Sequence, residues 1–336
     1  MNATVMYNGT MKNMRNSFIS LDDSYDLYLS MTWMHDNNHG ICGHIYEIID
    51  YYLLLRNKFK VGILICEDLD WETFEQCIVL KYDVDPDIIL EIKNNTLFYN
   101  RPKYVLGKNT SILFVDGGLL NAFYPRGTVL LLKNIFSFKC SSADTHYNLS
   151  YKNITLLQDN RVYDDPDRDI AINYVKKIGF KYYKKIDKTN SNTAMLYLTT
   201  NCREICNISL LDLVFEYGFE NYMILTNDAS KYSAIVKDFP KISFPSMPVD
   251  NIFEKFDSYI YTPTGAGIAR RKFDCSPRFI AECAHYGKNV IYHNIDEEYL
   301  SIDSGLKWRK YDIENNLKGL YLDENDELID ILYDRL

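Results

Sequence analysis

A chain of 336 residues is long for one small core and comfortable for two domains of ordinary size. Hydrophobic residues make up 47% and charged residues 25%, a globular balance that excludes wholesale disorder. The formal net charge of -9 excludes the global basic charge that holds a protein on nucleic acid without regard to sequence, although a local basic patch is compatible with it.

No segment reaches the ~18 uninterrupted apolar residues of a membrane helix. The opening "MNATVMYNGTMKNMRNSF" is polar and lacks the apolar stretch of a signal peptide. The eight cysteines are scattered without the spacing of a disulfide framework. A reduced, cytoplasmic location is therefore expected, and the sequons "NGT", "NLS" and "NIT" are chance features of an Asn-rich chain. Cys202 and Cys206 form a lone CxxxC. That spacing alone falls short of a metal site, and none is expected.

Taken in chain order, "YDLYLSMTW" (25–33) predicts a first buried strand. A loop with two glycines, "HDNNHGICGH" (35–44), leads into a helix. Its Ile45, Ile48, Ile49, Tyr52 and Leu53 recur at helical spacing on one face. "KFKVGILIC" (58–66) is almost wholly apolar, as in a parallel sheet covered on both faces. "WETFEQCIVLKY" predicts the next helix and "TSILFVDGG" (110–118) the next strand. "GTVLLLKNI" and "NITLLQDN" predict two more strands. This alternation is that of a doubly wound α/β domain.

"DNRVYDDPDRD" (159–169) is charged, contains a proline and loses apolar periodicity, so it is a connector. "KKIDKTNSNT" (184–193) is a second polar stretch, after which the pattern restarts. "AMLYLTT", "YMILTND", "SYIYTPT" and "NVIYHN" are strands, with helices at "SLLDLVFEYGF", "KYSAIVKDF" and after Ser276. "DENDELIDILYDRL" ends the sequence as an acidic amphipathic helix. The expected fold is α/β, with two Rossmann-like domains facing a central cleft. The N-terminal domain spans 1–185, the C-terminal domain spans 186–312, and a C-terminal helix fills 313–336. Ligands of such sheets bind where the loops meet at the carboxyl ends of the strands.

Three stretches there carry candidate chemistry. In "FDCSPRFIAECAHYGKNVIYHN" (273–294), Ser276 is a suitable N-cap, Pro277 suits the first helical position and Gly287 the residue past the end. The helix N-terminus offers backbone N–H groups to an anion. Arg278 and Glu282 lie one turn apart on one face. They make either an exposed ion pair worth ~0.3 kcal/mol or a ligand site, in which the carboxylate accepts hydroxyl hydrogen bonds as from a ribose. Upstream, "YTPTGAGIARRKFD" (261–274) sets Thr264, Gly265 and Gly267 before Arg270, Arg271 and Lys272. Glycines let amides approach a phosphate, and Arg supplies paired donors. In "HDNNHGICGH", Gly40 and Gly43 allow a close backbone approach without forming a GxGxxG fingerprint. His35, Asp36 and His39 are candidate general bases there. Asp116, at the end of a strand, is another candidate base, or a helix cap. Arg203 in "TTNCREI" can reach a phosphate.

With these parts in this order, the chain resembles the GT-B class of nucleotide-sugar glycosyltransferases. The resemblance runs by layout from about Tyr25 onward. Its specific segment is a helix with a Glu ahead of a Gly-x-x-Val-Ile strand, here "SPRFIAECAHYGKNVIY" (276–292). "NHGICGHIYEIIDYY" is similar to the class's N-terminal loop and helix. The resemblance implies a hexosyl-type transferase that needs no redox cofactor or essential metal and uses a nucleotide-sugar donor, expected to be a UDP-sugar. Glu282 is implied on the donor ribose. Arg278, Ser276 and the amides of 264–267 are implied near the diphosphate, with Arg270 and Arg203 as further donors. Asp274 stands where members carry the first Glu of a Glu-x7-Glu pattern. No Lys follows Arg203 in "REICNISLL", where many members have one. The acceptor implied is a hydroxyl on a glycan or small molecule. A phage-type DNA glycosyltransferase acting on hydroxymethylated pyrimidines is the narrower alternative, which the acidic charge disfavours. A sugar-nucleotide 2-epimerase shares the fold. A non-catalytic nucleotide-sugar-binding protein is the alternative outside enzymes.

Overall fold

The computed structural model describes residues 5–6, 18–31, 43–66, 69–99, 104–115, 129–139, 153–163, 171–187, 191–198, 214, 216–226, 229–232, 239, 241–245, 249–261, 277–293, 295, 297, 300 and 304–336. The chain divides into two compact units. The first draws on Met1–His35, Gly43–Tyr182 and Leu320–Leu336, the second on Tyr183–Gly319. The chain thus crosses from one to the other at Tyr182–Tyr183, three residues before the break expected from composition.

Unit 1 begins with β1 (Val5–Met6), β2 (Phe18–Ser20), β3 (Leu27–Ser30), α1 (Gly43–Leu55) and β4 (Val61–Cys66). Then come α2 (Trp71–Lys81), α3 (Pro86–Asn94), β5 (Thr96–Tyr99), β6 (Tyr104–Gly107) and β7 (Ser111–Phe114). β8 (Val129–Leu132), β9 (Ile135–Phe138), β10 (Ile154–Gln158) and β11 (Ala171–Asn173) follow. Seven of these strands form a sheet in the order β11-β10-β9-β7-β3-β4-β5, with every pairing parallel. Parallel strands need crossovers and are covered on both faces, which is why β3, β7, β9 and β10 are buried at every position. A smaller sheet, β1-β2-β6-β8, lies over it. Its Ile19, Val105 and Leu130 pack in one cluster with Tyr28, Leu64 and Ile112.

α1 departs from the one-faced helix its periodicity suggests. Tyr51, Leu54 and Leu55 are buried along with Ile45, Ile48, Ile49, Tyr52 and Leu53, so the helix is enclosed on nearly all sides. Two carboxylates go in with it. Asp50 accepts a 2.9 Å hydrogen bond from Tyr82 Oη, and Glu47 belongs to the cluster described below. α2 is capped as its sequence allows, Asp70 accepting from Thr73 N at 2.7 Å.

Unit 2 contains β12 (Thr193–Leu198), β13 (Asn221–Thr226), β14 (Ile242–Ser243), β15 (Ser258–Tyr261), α4 (Arg278–His285), β16 (Asn289–Tyr292) and α5 (Ser304–Asn316). Its sheet runs β14-β13-β12-β15-β16, with all four pairings parallel. Strand period sorts its core into two layers. Ala194, Leu196, Tyr222, Ile224 and Ile260 pack on one face. Met195, Met223, Leu225 and Tyr259 pack on the other, with Ile280 and Cys283 of α4. α4 begins one residue later than its sequence suggests. Pro277 takes the cap position, and no side-chain cap bond forms there. Gly287 follows the helix at φ +65, the left-handed region glycine tolerates. Most of the helices expected at 209–219 and 231–239 lie outside the described residues.

The chain then returns to unit 1. Leu322 N donates to Ile178 O and Ile178 N to Leu320 O, at 2.9 and 2.8 Å. The stretch 313–336, read from the sequence as one helix, instead holds the end of α5, a 3-10 turn (Leu317–Leu320) and the seven-residue α6 (Glu327–Tyr333). Asp326 caps α6 through Leu328 N and also accepts from Tyr174 Oη at 3.0 Å. Leu328, Ile329 and Leu332 are buried. No helix among the described residues is long and apolar enough to cross a membrane.

Candidate functional site

α4 joins β15 to β16 in the parallel sheet of unit 2, so its first turns lie toward the carboxyl ends of the strands. Arg278 and Glu282 stand there, but not as a surface pair. Arg278 Nε donates to Glu282 Oε1 at 2.7 Å, and the carboxylate is 2% exposed. Tyr183, the first described residue of unit 2, completes the group. Its hydroxyl donates to the same Oε1 at 3.0 Å and accepts from Arg278 Nη2. A buried carboxylate needs such donors to remain ionised. His285 and Tyr286 edge the group, both in ring contact with Tyr183. Burial lowers the His285 pKa, with the Glu282 charge opposing. Burial raises the Tyr286 phenol, and Glu282 adds to the rise.

Unit 1 carries a second polar cluster. In the order β11-β10-β9-β7-β3-β4-β5 the winding reverses at β3, which α1 links to β4 on one side while β7 lies on the other. The carboxyl ends of β3 and β7 are therefore the topological switch point, where open α/β sheets bind ligands. Val115 N donates to Ser30 O at 2.9 Å, which places Val115 at that point. Lys176 Nζ donates to Val115 O at 2.5 Å and to Glu47 Oε2 at 2.6 Å. His44 Nδ1 lies 2.6 Å from the same Glu47 oxygen. His44 and Glu47 come from the first turns of α1, and Lys176 follows β11. An imidazole fixed through Nδ1 by a carboxylate presents Nε2 for proton transfer.

Of the residues singled out from sequence, Gly43, Arg278 and Glu282 are described. Gly43 opens α1 and is exposed. The candidate bases His35, Asp36, His39 and Asp116 lie outside the described residues, as do Gly40, Arg203, Thr264, Gly265, Gly267, Arg270, Asp274 and Ser276. Sequence reasoning missed Tyr183, His44, Glu47 and Lys176. His44 closes the quoted Gly-containing loop, and its i, i+3 spacing to Glu47 was the available signal. Among the described residues, no group of three or more His, Cys, Asp or Glu could hold a metal ion.

No family model matches the chain, and no curated protein matches it. Solved structures do resemble it along most of its length. MurG of Acinetobacter baumannii is 8% identical, covering 92% of this chain and 99% of that one, with a TM-score of 0.33. An alpha-glucosyltransferase in complex with UDP and a 13-mer DNA containing a HMU base is 11% identical, covering 93% and 95%, with a TM-score of 0.39. A glycosyltransferase from Rickettsia africae is 11% identical, covering 93% and 94%, with a TM-score of 0.36.

Proposed function

We propose that this chain is a glycosyltransferase that moves a sugar from a nucleotide-sugar donor to an acceptor hydroxyl. The observation that carries the reading is Glu282. It is a carboxylate on the first turns of the helix between β15 and β16, desolvated and already bonded to a hydroxyl. The bond to the Tyr183 hydroxyl supports a carboxylate placed to accept from a hydroxyl, as one on a ribose would, and Glu282 lies in the segment whose sequence resembles the donor helix of the class.

In this reading unit 2 takes the donor, with Glu282 on the ribose and Arg278 toward the diphosphate. Ser276, Thr264, Gly265, Gly267, Arg270, Asp274 and Arg203 remain proposed contacts, as does Gly40 in the first loop. Unit 1 takes the acceptor. The acceptor oxygen bonds to the anomeric carbon as the bond from that carbon to the diphosphate breaks. The diphosphate leaves with the electron pair, and donors aimed at it lower the barrier because charge develops there. The acceptor proton goes to a base. His44, held by Glu47, joins His35, Asp36, His39 and Asp116 as the candidates and is the one whose orienting partner is seen. The donor is proposed to be a UDP-sugar, and the protein is proposed to act in the cytoplasm.

The test is native mass spectrometry of the protein incubated with a sugar-nucleotide mixture, followed by assay for released nucleoside diphosphate. Retention of one donor and its slow hydrolysis are expected. A protein that neither retains nor hydrolyses any donor is not a glycosyltransferase. Retention with no hydrolysis and no transfer to any offered glycan or DNA identifies a binding protein.

A further inference from the structure

Tyr183 occupies Glu282 in a chemically specific way. Its phenol oxygen donates to the carboxylate and accepts from the guanidinium. A sugar hydroxyl can do both at once, as can water or a Ser or Thr hydroxyl. Tyr183 is 5% exposed and Glu282 2%, so the bond between them is out of reach of solvent in this arrangement. The preceding residue is anchored elsewhere. Tyr182 Oη donates to Leu53 O at 3.1 Å, and Asp83 N donates to Tyr182 O at 2.8 Å, all within unit 1. Consecutive residues are thus tied to different units at the point where the chain crosses.

We propose that Tyr183 is a built-in stand-in for the donor's ribose. It holds Arg278 and Glu282 in register when the site is empty, and donor binding displaces its hydroxyl from Glu282. This rests on the reading of Glu282 as the ribose carboxylate. It adds a regulatory contact, because every donor must compete with the residue through which the chain enters unit 2. Tyr183 is a positioning residue here and takes no part in bond making.

The test is calorimetric titration of UDP, then GDP, ADP and dTDP, into the full-length wild type and Tyr183→Phe, with thermal unfolding as a check on folding. The substitution keeps the ring and its contacts with Arg278, His285 and Tyr286, and removes the competing hydroxyl. Hydrogen bonds to charged groups are strong enough that its loss is expected to tighten nucleotide binding by about tenfold. Equal or weaker binding by Tyr183→Phe overturns the proposal while leaving the donor site intact. Failure of both proteins to bind any of the four removes the donor-site reading and the proposal with it. Should Tyr183→Phe not fold, wild type carrying 3-fluorotyrosine at 183 decides the matter. Its ¹⁹F resonance is expected to move on saturation with the nucleotide that binds, and an unmoved resonance overturns the proposal.

Discussion

Lys176 Nζ lies 2.6 Å from Glu47 Oε2, and the two residues are 129 positions apart in the chain. Their side chains are only 12% and 8% exposed. Replacing Lys176 by Met leaves a buried carboxylate without its main cation. The expected cost is about 3–5 kcal/mol, read from urea unfolding. Adding Glu47→Gln to that variant is expected to recover part of the loss. If Lys176→Met alone costs under about 1 kcal/mol, the figure for an exposed pair, the cluster is solvated and its role in unit 1 is minor.

Gly62 sits under an aromatic ring. A Cβ there would lie 2.4 Å from Tyr28 Cε1, and Tyr28 is packed in the main cluster of unit 1. Gly62→Ala is expected to destabilise by about 1–3 kcal/mol in thermal or urea unfolding. The clash is with ring carbons, so Tyr28→Phe in the same chain should give no relief. Relief would place the strain at the hydroxyl instead.

His285 makes stability depend on pH. Burial holds its folded pKa below 6.5, so the folded state takes up a proton less readily than the unfolded one. Its contribution is complete above about pH 6.5 and is lost as pH falls from there through the folded value. The ring is half-buried, so the slope should stay well under the ~1.4 kcal/mol per pH unit of one full proton. Urea midpoints at pH 7.5 and 5.5 should differ less in His285→Phe than in wild type. An unchanged difference would assign the acid sensitivity to other groups.

Cys77 is fully buried, and burial pushes its thiol up to about 12. The thiolate is the reactive form. Cys77 is therefore expected to resist a thiol reagent at pH 8 and to react once urea unfolds unit 1. Peptide mapping of labelled protein distinguishes it from the other cysteines. Rapid native labelling of Cys77 would mean that α2 opens locally.

Much of this architecture is legible in the sequence. Near-continuous apolar runs such as "VGILIC" announce parallel strands, because both faces of β4 must be dry. α3 was missed although Asp85 and Pro86 mark its start. The full enclosure of α1 was missed because a period-3.6 reading registers contrast between faces, and Tyr51, Leu54 and Leu55 reduce that contrast. The Arg278–Glu282 spacing was legible, but its burial was not. Tyr183, which bonds to the buried Glu282, is 99 positions away from it. The His44–Glu47 pair is likewise local, at i, i+3, whereas Lys176 reaches Glu47 from 129 positions away through the strand order.

The return of Leu320–Leu336 to unit 1 separates the order of synthesis from the order of completion. Unit 2 is drawn mainly from the continuous stretch Tyr183–Gly319, whereas unit 1 waits for Asp326 to reach Tyr174 and for Leu328 and Leu332 to close its core. As the chain emerges from a ribosome, unit 1 is begun before the main stretch of unit 2 and completed after it. A nascent chain stopped at residue 319 would present the apolar seat of α6 to solvent, a surface suited to a chaperone.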